Sequence, residues 1–206
     1  MRLRWFTGSA LFAVILGMLS TQVSGQVPTR GGTLSVGFSA DTKTLDPALS
    51  VQFGERQVLY LIFNTLVKYG TDFSIKPELA QSWEIKNAGK QIVFKLRQGV
   101  MFHDGTPFDA SAVKWNIDHR LNEASGSPQR QLLAPIIDSV DVIDATTVAF
   151  NLKQPSPGLP GLRGERPGFK MPTAAAKNTG QEPGSSPDGT GPCGVKERGR
   201  GTKLAR

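Results

Sequence analysis

Hydrophobic and polar positions change period several times along the chain, and each change predicts an element. Leu34, Val36 and Phe38 alternate with Thr33, Ser35 and Gly37, which predicts a half-buried strand over 33–38. Leu45-Asp46-Pro47 then interrupts regular structure, because proline lacks an N–H and restrains the residue before it. Val58, Leu59, Leu61, Ile62, Leu66 and Val67 recur at helical spacing between Gly54 and Tyr69 and predict one amphipathic helix. Strands follow at Ser82–Lys86 and Gln91–Arg97, joined by Asn87-Ala88-Gly89-Lys90, with Ile92, Phe94 and Leu96 on one face of the second. Asp104-Gly105-Thr106-Pro107 reads as a turn. Asp109 reads as the N-cap of a helix that turns Val113, Ile117 and Leu121 inward and ends by Asn122. Ile136–Ile143 and Thr146–Leu152 make a last strand pair around Asp144-Ala145. Helices and strands follow no strict βαβ order, so the expected class is mixed α/β.

The two ends read differently from this body. Arg2 and Arg4 precede an uncharged apolar run, Trp5 to Leu19, and then small and polar residues up to Gly25, which is the order of a secretory signal peptide. The run is shorter than the ~20 residues that span a bilayer, and no cysteine follows it to carry a lipid. Residues 1–25 are therefore expected to be a signal peptide, and the mature chain to be exported to the periplasm or the cell exterior. Residues 26–154 are the expected folded domain. Residues 155–206 hold eleven Gly and eight Pro in 52 positions, a composition too poor in apolar surface to offset chain entropy, so a disordered tail is expected there.

Charge and residue counts narrow the function. The net charge of +7 comes from the ends: residues 26–154 carry thirteen basic and thirteen acidic residues, while 155–206 carry nine against four. The neutral body offers no electrostatic case for nucleic acid. In the tail, Lys196, Arg198, Arg200, Lys203 and Arg206 lack interleaved aromatic residues, so no base-stacking platform is present. One cysteine, Cys193, and two histidines, His103 and His119, exclude a disulfide framework, a zinc module and a multi-histidine metal site. The sequence has neither a phosphate-binding Gly-x-x-x-x-Gly-Lys-Ser/Thr loop nor a Gly-x-Ser-x-Gly nucleophile elbow. No catalytic residue, metal site or cofactor is expected.

Individual residues divide into packing and candidate contacts. His103 and Asp104 are more economically read as turn residues than as an acid/base pair, and Trp83 and Trp115 as core packing. Ser50-Val51-Gln52-Phe53-Gly54 links the opening segment to the first helix and is the candidate ligand-contacting loop, since a helix N-terminus and its preceding loop suit carboxylate or peptide groups. An ordinary connector is the competing reading of the same loop.

One region carries a resemblance. Lys76-Pro77-Glu78-Leu79-Ala80-Gln81-Ser82-Trp83-Glu84, followed by Phe94-Lys95-Leu96-Arg97-Gln98-Gly99-Val100-Met101-Phe102-His103-Asp104-Gly105-Thr106-Pro107-Phe108-Asp109-Ala110, resembles the signature region of the bacterial extracellular solute-binding proteins of family 5, the peptide and nickel receptors of ABC importers. Thr44-Leu45-Asp46-Pro47-Ala48 and Phe63-Asn64-Thr65-Leu66-Val67-Lys68-Tyr69 are similar to that family's opening segments. The likeness runs through Gln154, with a weaker echo at Glu165-Arg166-Pro167-Gly168-Phe169 and Gly189-Thr190-Gly191-Pro192.

The resemblance implies a flytrap fold in which two lobes close over a solute and are presented to permease subunits in the inner membrane. It implies binding and delivery of a small peptide or similar solute, with no chemistry done by the receptor. Residues 26–154 would be the N-terminal lobe of such a fold and 155–206 a degenerate continuation, so that the chain holds one side of a cleft and its binding competence is in question. By the same resemblance Ser50, Gln52, Phe53 and Gly54 would face the solute, and Arg166 would be a basic cleft residue able to clamp a carboxylate. Two alternatives stay open at this point: an exported interaction protein with a basic disordered arm for anionic surfaces, and a non-functional fragment.

Overall fold

The structure, a computed structural model, describes residues 31–38, 41–156, 187–199 and 203–205. The chain divides into two compact units, 1–37 and 38–206. In the first, the described residues 31–37 are extended without strand pairing, and Leu34 is 88% exposed. The strand expected over 33–38 is therefore not formed. Alternation marks a face that could be buried, but a strand also needs a neighbour for its N–H and C=O groups.

The second unit is built around a four-stranded antiparallel sheet. Its strands are β3 (Ala80–Lys86), β4 (Gln91–Leu96), β5 (Ile137–Asp144) and β6 (Thr147–Leu152), in the order β3-β4-β6-β5. The period-2 patterns set the register. Phe94 pairs with Trp83 on one side and Val148 on the other, while Ile92 pairs with Phe150 and Phe150 with Val140, so the apolar sets of four strands meet on one face. Phe94 and Phe150 meet edge to face at 5.2 Å, both fully buried. The opposite face is polar and cross-bonded: Gln91 donates to Asn151 at 2.8 Å, and Asn151 donates to Ser139 at 2.9 Å and Asp141 at 2.6 Å. The β3–β4 connection is a single 3₁₀ turn, Asn87–Gly89, in which Asn87 and Ala88 both take positive φ.

A helix covers the apolar face. It spans Ala110–Leu121, begins at Asp109, whose carboxylate accepts the Ala112 N–H at 2.8 Å, and ends at Asn122, as the sequence predicts. It is called α2 here because a shorter helix, α1 (Phe53–Ile62), precedes it. Val113 and Ile117 of α2 enter the core with Leu133 of a one-turn helix, α3 (Arg130–Leu133). Trp83 packs against this core, whereas Trp115 stacks on His119 at 5.0 Å on the half-exposed side of α2.

The helix expected over 54–69 is shorter than its periodicity. It stops at Ile62, and Val67–Tyr69 becomes a strand, β1, paired with β2 (Ile75–Pro77). Glu78 explains the break. Its carboxylate accepts the Thr65 N–H and hydroxyl, both at 2.6 Å, and the Asn64 side-chain amide at 3.2 Å, drawing these residues out of the helix. Leu66 and Val67 then enter the sheet core instead of extending the helix face.

The expectation of a disordered tail is corrected for part of it. Pro187 and Gly189 are buried, and two short strands, β7 (Glu197–Gly199) and β8 (Lys203–Ala205), pair with each other. Composition counts side-chain area, whereas this segment is held by backbone hydrogen bonds. Among the described residues, no helix is long and apolar enough to cross a membrane. Residues 1–30 and 157–186, including the expected signal peptide and Arg166, lie outside the described residues.

Candidate functional site

The N-terminal end of α1 is organised by one buried carboxylate. Glu55, 2% exposed, sits at the third helical position. Its Oε2 accepts from the Ser50 hydroxyl at 3.0 Å, the Val51 N–H at 3.2 Å and the Gln52 N–H at 3.1 Å; its Oε1 accepts from the N–H groups of Lys43 and Thr44. A carboxylate inside the first turn also meets the positive end of the helix dipole. The loop 50–54 is thus tied from inside, and its backbone shape is set before any ligand arrives.

This arrangement separates the four described candidates. Ser50 is 3% exposed and its hydroxyl is spent on Glu55, so its role is to hold the loop. Gln52 is the half-exposed N-cap, and Phe53 is 69% exposed with the Arg56 guanidinium 5.5 Å from its ring centre. Gly54 begins the exposed face of the helix, where an added Cβ would meet nothing within 4 Å. The structure brings Ser50, Gln52, Phe53 and Gly54 into one short patch. Phe53 and Gly54 are helical residues, not loop residues as the sequence reading has them.

A second buried group supports the same patch from behind. Arg120 of α2 is fully buried, donating through Nε to Gln129 at 3.1 Å and through Nη1 to the Asn116 carbonyl at 2.8 Å. Gln129 in turn donates to the Pro47 carbonyl at 2.6 Å, and Ser127 to the Ala48 carbonyl at 2.7 Å. Burial pushes the Arg120 guanidinium down to about 10, against the opposing charge of Asp46. The 45–50 turn is therefore pinned to α2. Sequence reasoning passed over both Glu55 and Arg120; the signal for Glu55 was its place three residues after the helix start, while nothing local marked Arg120.

The C-terminal end of α1 is closed by a distant strap, residues 187–195. The N–H groups of Gly191 and Cys193 donate to the carbonyls of Ile62 and Leu61 at 2.8 and 2.9 Å, satisfying two of the carbonyls that a helix end leaves free. Close approach requires glycine: a Cβ on Gly189 would lie 2.1 Å from the Ile62 oxygen. On its other side the strap meets the 102–107 turn. The Gly189 carbonyl accepts from the His103 N–H at 2.9 Å, and Thr190 donates to Asn64 at 3.1 Å. His103 and Asp104 are thus more than a surface turn; they form the strap's seat.

A groove of about 380 Å³ opens on the sheet, lined by Ser82, Glu84, Lys86, Lys95 and Thr147 among others. Its charged groups are already engaged, Lys86 with Glu84 at 3.0 Å and Lys95 with Thr147 at 2.7 Å. Among the described residues, no group of three or more His, Cys, Asp or Glu side chains is placed to hold a metal ion.

This fold has relatives. The family model of the bacterial extracellular solute-binding proteins, family 5 Middle, matches residues 74–205, and the chain belongs to that family. The glutathione-binding protein GsiB of Escherichia coli K12 is 32% identical over 157 residues, covering 76% of this chain and 30% of its own length. Among solved structures, the binding protein AgaA of A. tumefaciens R10, in complex with agropinic acid, superposes with a TM-score of 0.73 at 30% identity, over 79% of this chain and 33% of AgaA. The Helicobacter pylori binding protein DppA, in complex with the peptide STSA, gives 0.71 at 26% identity, over 80% and 36%. The chain spans about a third of the length of these relatives.

Proposed function

We propose that this chain is the exported solute-binding receptor of an ABC importer, taking up small peptides or similar solutes and presenting them unchanged to permease subunits. In this reading residues 1–25 are a signal peptide, 26–154 form the N-terminal lobe, and 155–206 continue it. Ser50, Gln52, Phe53 and Gly54 mark the solute side, with Ser50 holding the loop and Arg166 supplying a cationic contact. The observation that carries the reading is the preformed patch at the start of α1, fixed by Glu55 within a chain of this family. The relatives support the solute class: GsiB is described as binding glutathione, AgaA is complexed with agropinic acid, and DppA with a peptide.

The test is calorimetric titration of the full exported chain with glutathione, short peptides, agropinic acid and a nickel–histidine chelate. Saturable one-to-one binding of one of them is expected, weakened at least tenfold by Gly54→Trp, which adds bulk where the helix faces open space. Absence of saturable heat with every compound, from a chain whose circular dichroism shows it folded, overturns the reading.

A further inference from the structure

The β1–β2 hairpin goes against three local preferences within a few residues. Its register sets Lys68 directly opposite Lys76, both exposed, where like charges repel. Its tip, residues 70–74, holds Phe73 at φ 58°, a left-handed conformation that disfavours a bulky side chain. The Phe73 ring is 86% exposed, and no large apolar side chain described in the second unit is more so. The tip is nevertheless firmly closed. The Gly70 N–H donates to the Ser74 carbonyl at 2.8 Å and the Phe73 N–H to the Gly70 carbonyl at 3.0 Å, while Asp72 Oδ1 accepts the Ser74 hydroxyl at 2.6 Å and its N–H at 3.2 Å. Glycine would take the backbone of position 73 without strain, and an acidic residue opposite Lys76 would turn repulsion into attraction. Local stability therefore does not account for these residues, and choices that oppose it concentrate at functional positions.

We infer that the β1–β2 hairpin docks on an anionic lipid surface, with the Phe73 ring entering the boundary between headgroups and acyl chains and Lys68 and Lys76 meeting lipid phosphates. An apolar ring beside cations suits that boundary, and each lysine near an anionic leaflet adds attraction. A negative surface also offsets the repulsion between the two opposed lysines. Asp72 is the one acidic residue of the hairpin and lies 3.5 Å from Lys76, with both side chains at least half exposed, so residues 67–77 keep a net positive charge. A folded protein is the poorer occupant: one ring and two lysines supply a small part of the about 800 Å² that each side of a stable protein interface buries. The inference concerns the hairpin alone and stands whether or not the solute reading does.

The experiment is flotation of the full chain with vesicles of phosphatidylcholine alone, and of phosphatidylcholine mixed two to one with phosphatidylglycerol. Binding to the anionic vesicles is expected, and it should weaken as salt is added. Phe73→Gly removes the ring and suits the backbone, while Lys68→Gln removes one cation together with the repulsion. Each is expected to weaken binding to anionic vesicles roughly fivefold, while the urea midpoint of the chain holds or rises. A purely structural role for either residue would lower the midpoint instead. Three results overturn the inference: no preference for the anionic vesicles, weakening that appears only with a lowered urea midpoint, or wild-type binding in both hairpin variants. In the last case, loss of binding in Lys196→Gln/Arg198→Gln would assign the attraction to the C-terminal cations.

Discussion

The four-stranded sheet and the α1 end of the same unit are held together by different means. The sheet region closes over one large apolar cluster that includes Ile92, Phe94, Val113, Ile117, Val140 and Phe150. Among the described residues, the buried apolar cluster of the α1 region is the smaller one, Leu45, Val58, Leu59, Ile62 and Phe63, with Val195 packed against it. What it lacks in apolar area it replaces with directed bonds: five to Glu55 at one end, the strap's N–H groups at the other, and Arg120 behind. Apolar packing depends on area and tolerates local change, whereas a hydrogen-bonded hub fails when one buried partner is removed. Mutations in the two regions should therefore have different reach.

The largest effect is expected in the sheet. Phe150→Ala removes a fully buried ring from contact with Phe94 and should cost about 3–5 kcal/mol, lowering the urea midpoint of the whole unit as followed by circular dichroism. A cost below 1 kcal/mol would mean that the sheet is not the stabilising centre.

Gly189→Ala should act locally. The added methyl collides with the Ile62 carbonyl and should cost about 2 kcal/mol, seen as faster Cys193 alkylation with little change in the sheet's urea midpoint. Equal loss in both readouts would sink the comparison, because strap and sheet would then be one cooperative unit.

Glu55→Gln keeps size but replaces an acceptor-only carboxylate with an amide whose NH₂ faces N–H donors. It should cost about 1–3 kcal/mol, appearing as faster amide exchange at Val51 and Gln52. Slow exchange in the variant would show that the loop is held by something other than this carboxylate. The smallest effect is expected for Asp109→Ala, which removes the half-buried N-cap of α2 and should cost about 1 kcal/mol, read as a modest drop in melting temperature.

The same division governs what the sequence shows in advance. The sheet and α2 are legible because their signals are local: the alternation through Ile92, Phe94 and Leu96, and Asp109 and Asn122 at the ends of α2. The α1 region is misread wherever a distant partner decides. Leu66 and Val67 have helical spacing, yet Glu78, 13 residues on, takes Thr65 into another structure. The strap is invisible to composition because glycine is scored as disorder-promoting, while here its missing side chain permits contact with the Ile62 carbonyl. The candidate loop was legible as a position. Its mechanism was not, since the burial of Ser50 and the five bonds to Glu55 depend on how Lys43 and Thr44 fold back.

The strap also sets an order of events during folding. Thr190 and Asn64, which it brings together, are 126 residues apart in the chain. Closing so long a loop costs conformational entropy that only a few backbone bonds repay, while the sheet hairpins close over short connections. In refolding, β4 and β6 amides should gain protection before those of Gly191 and Cys193. A chain emerging N-terminus first would carry α1 with its last carbonyls open until the strap arrives, so the helix made earliest is the one finished last.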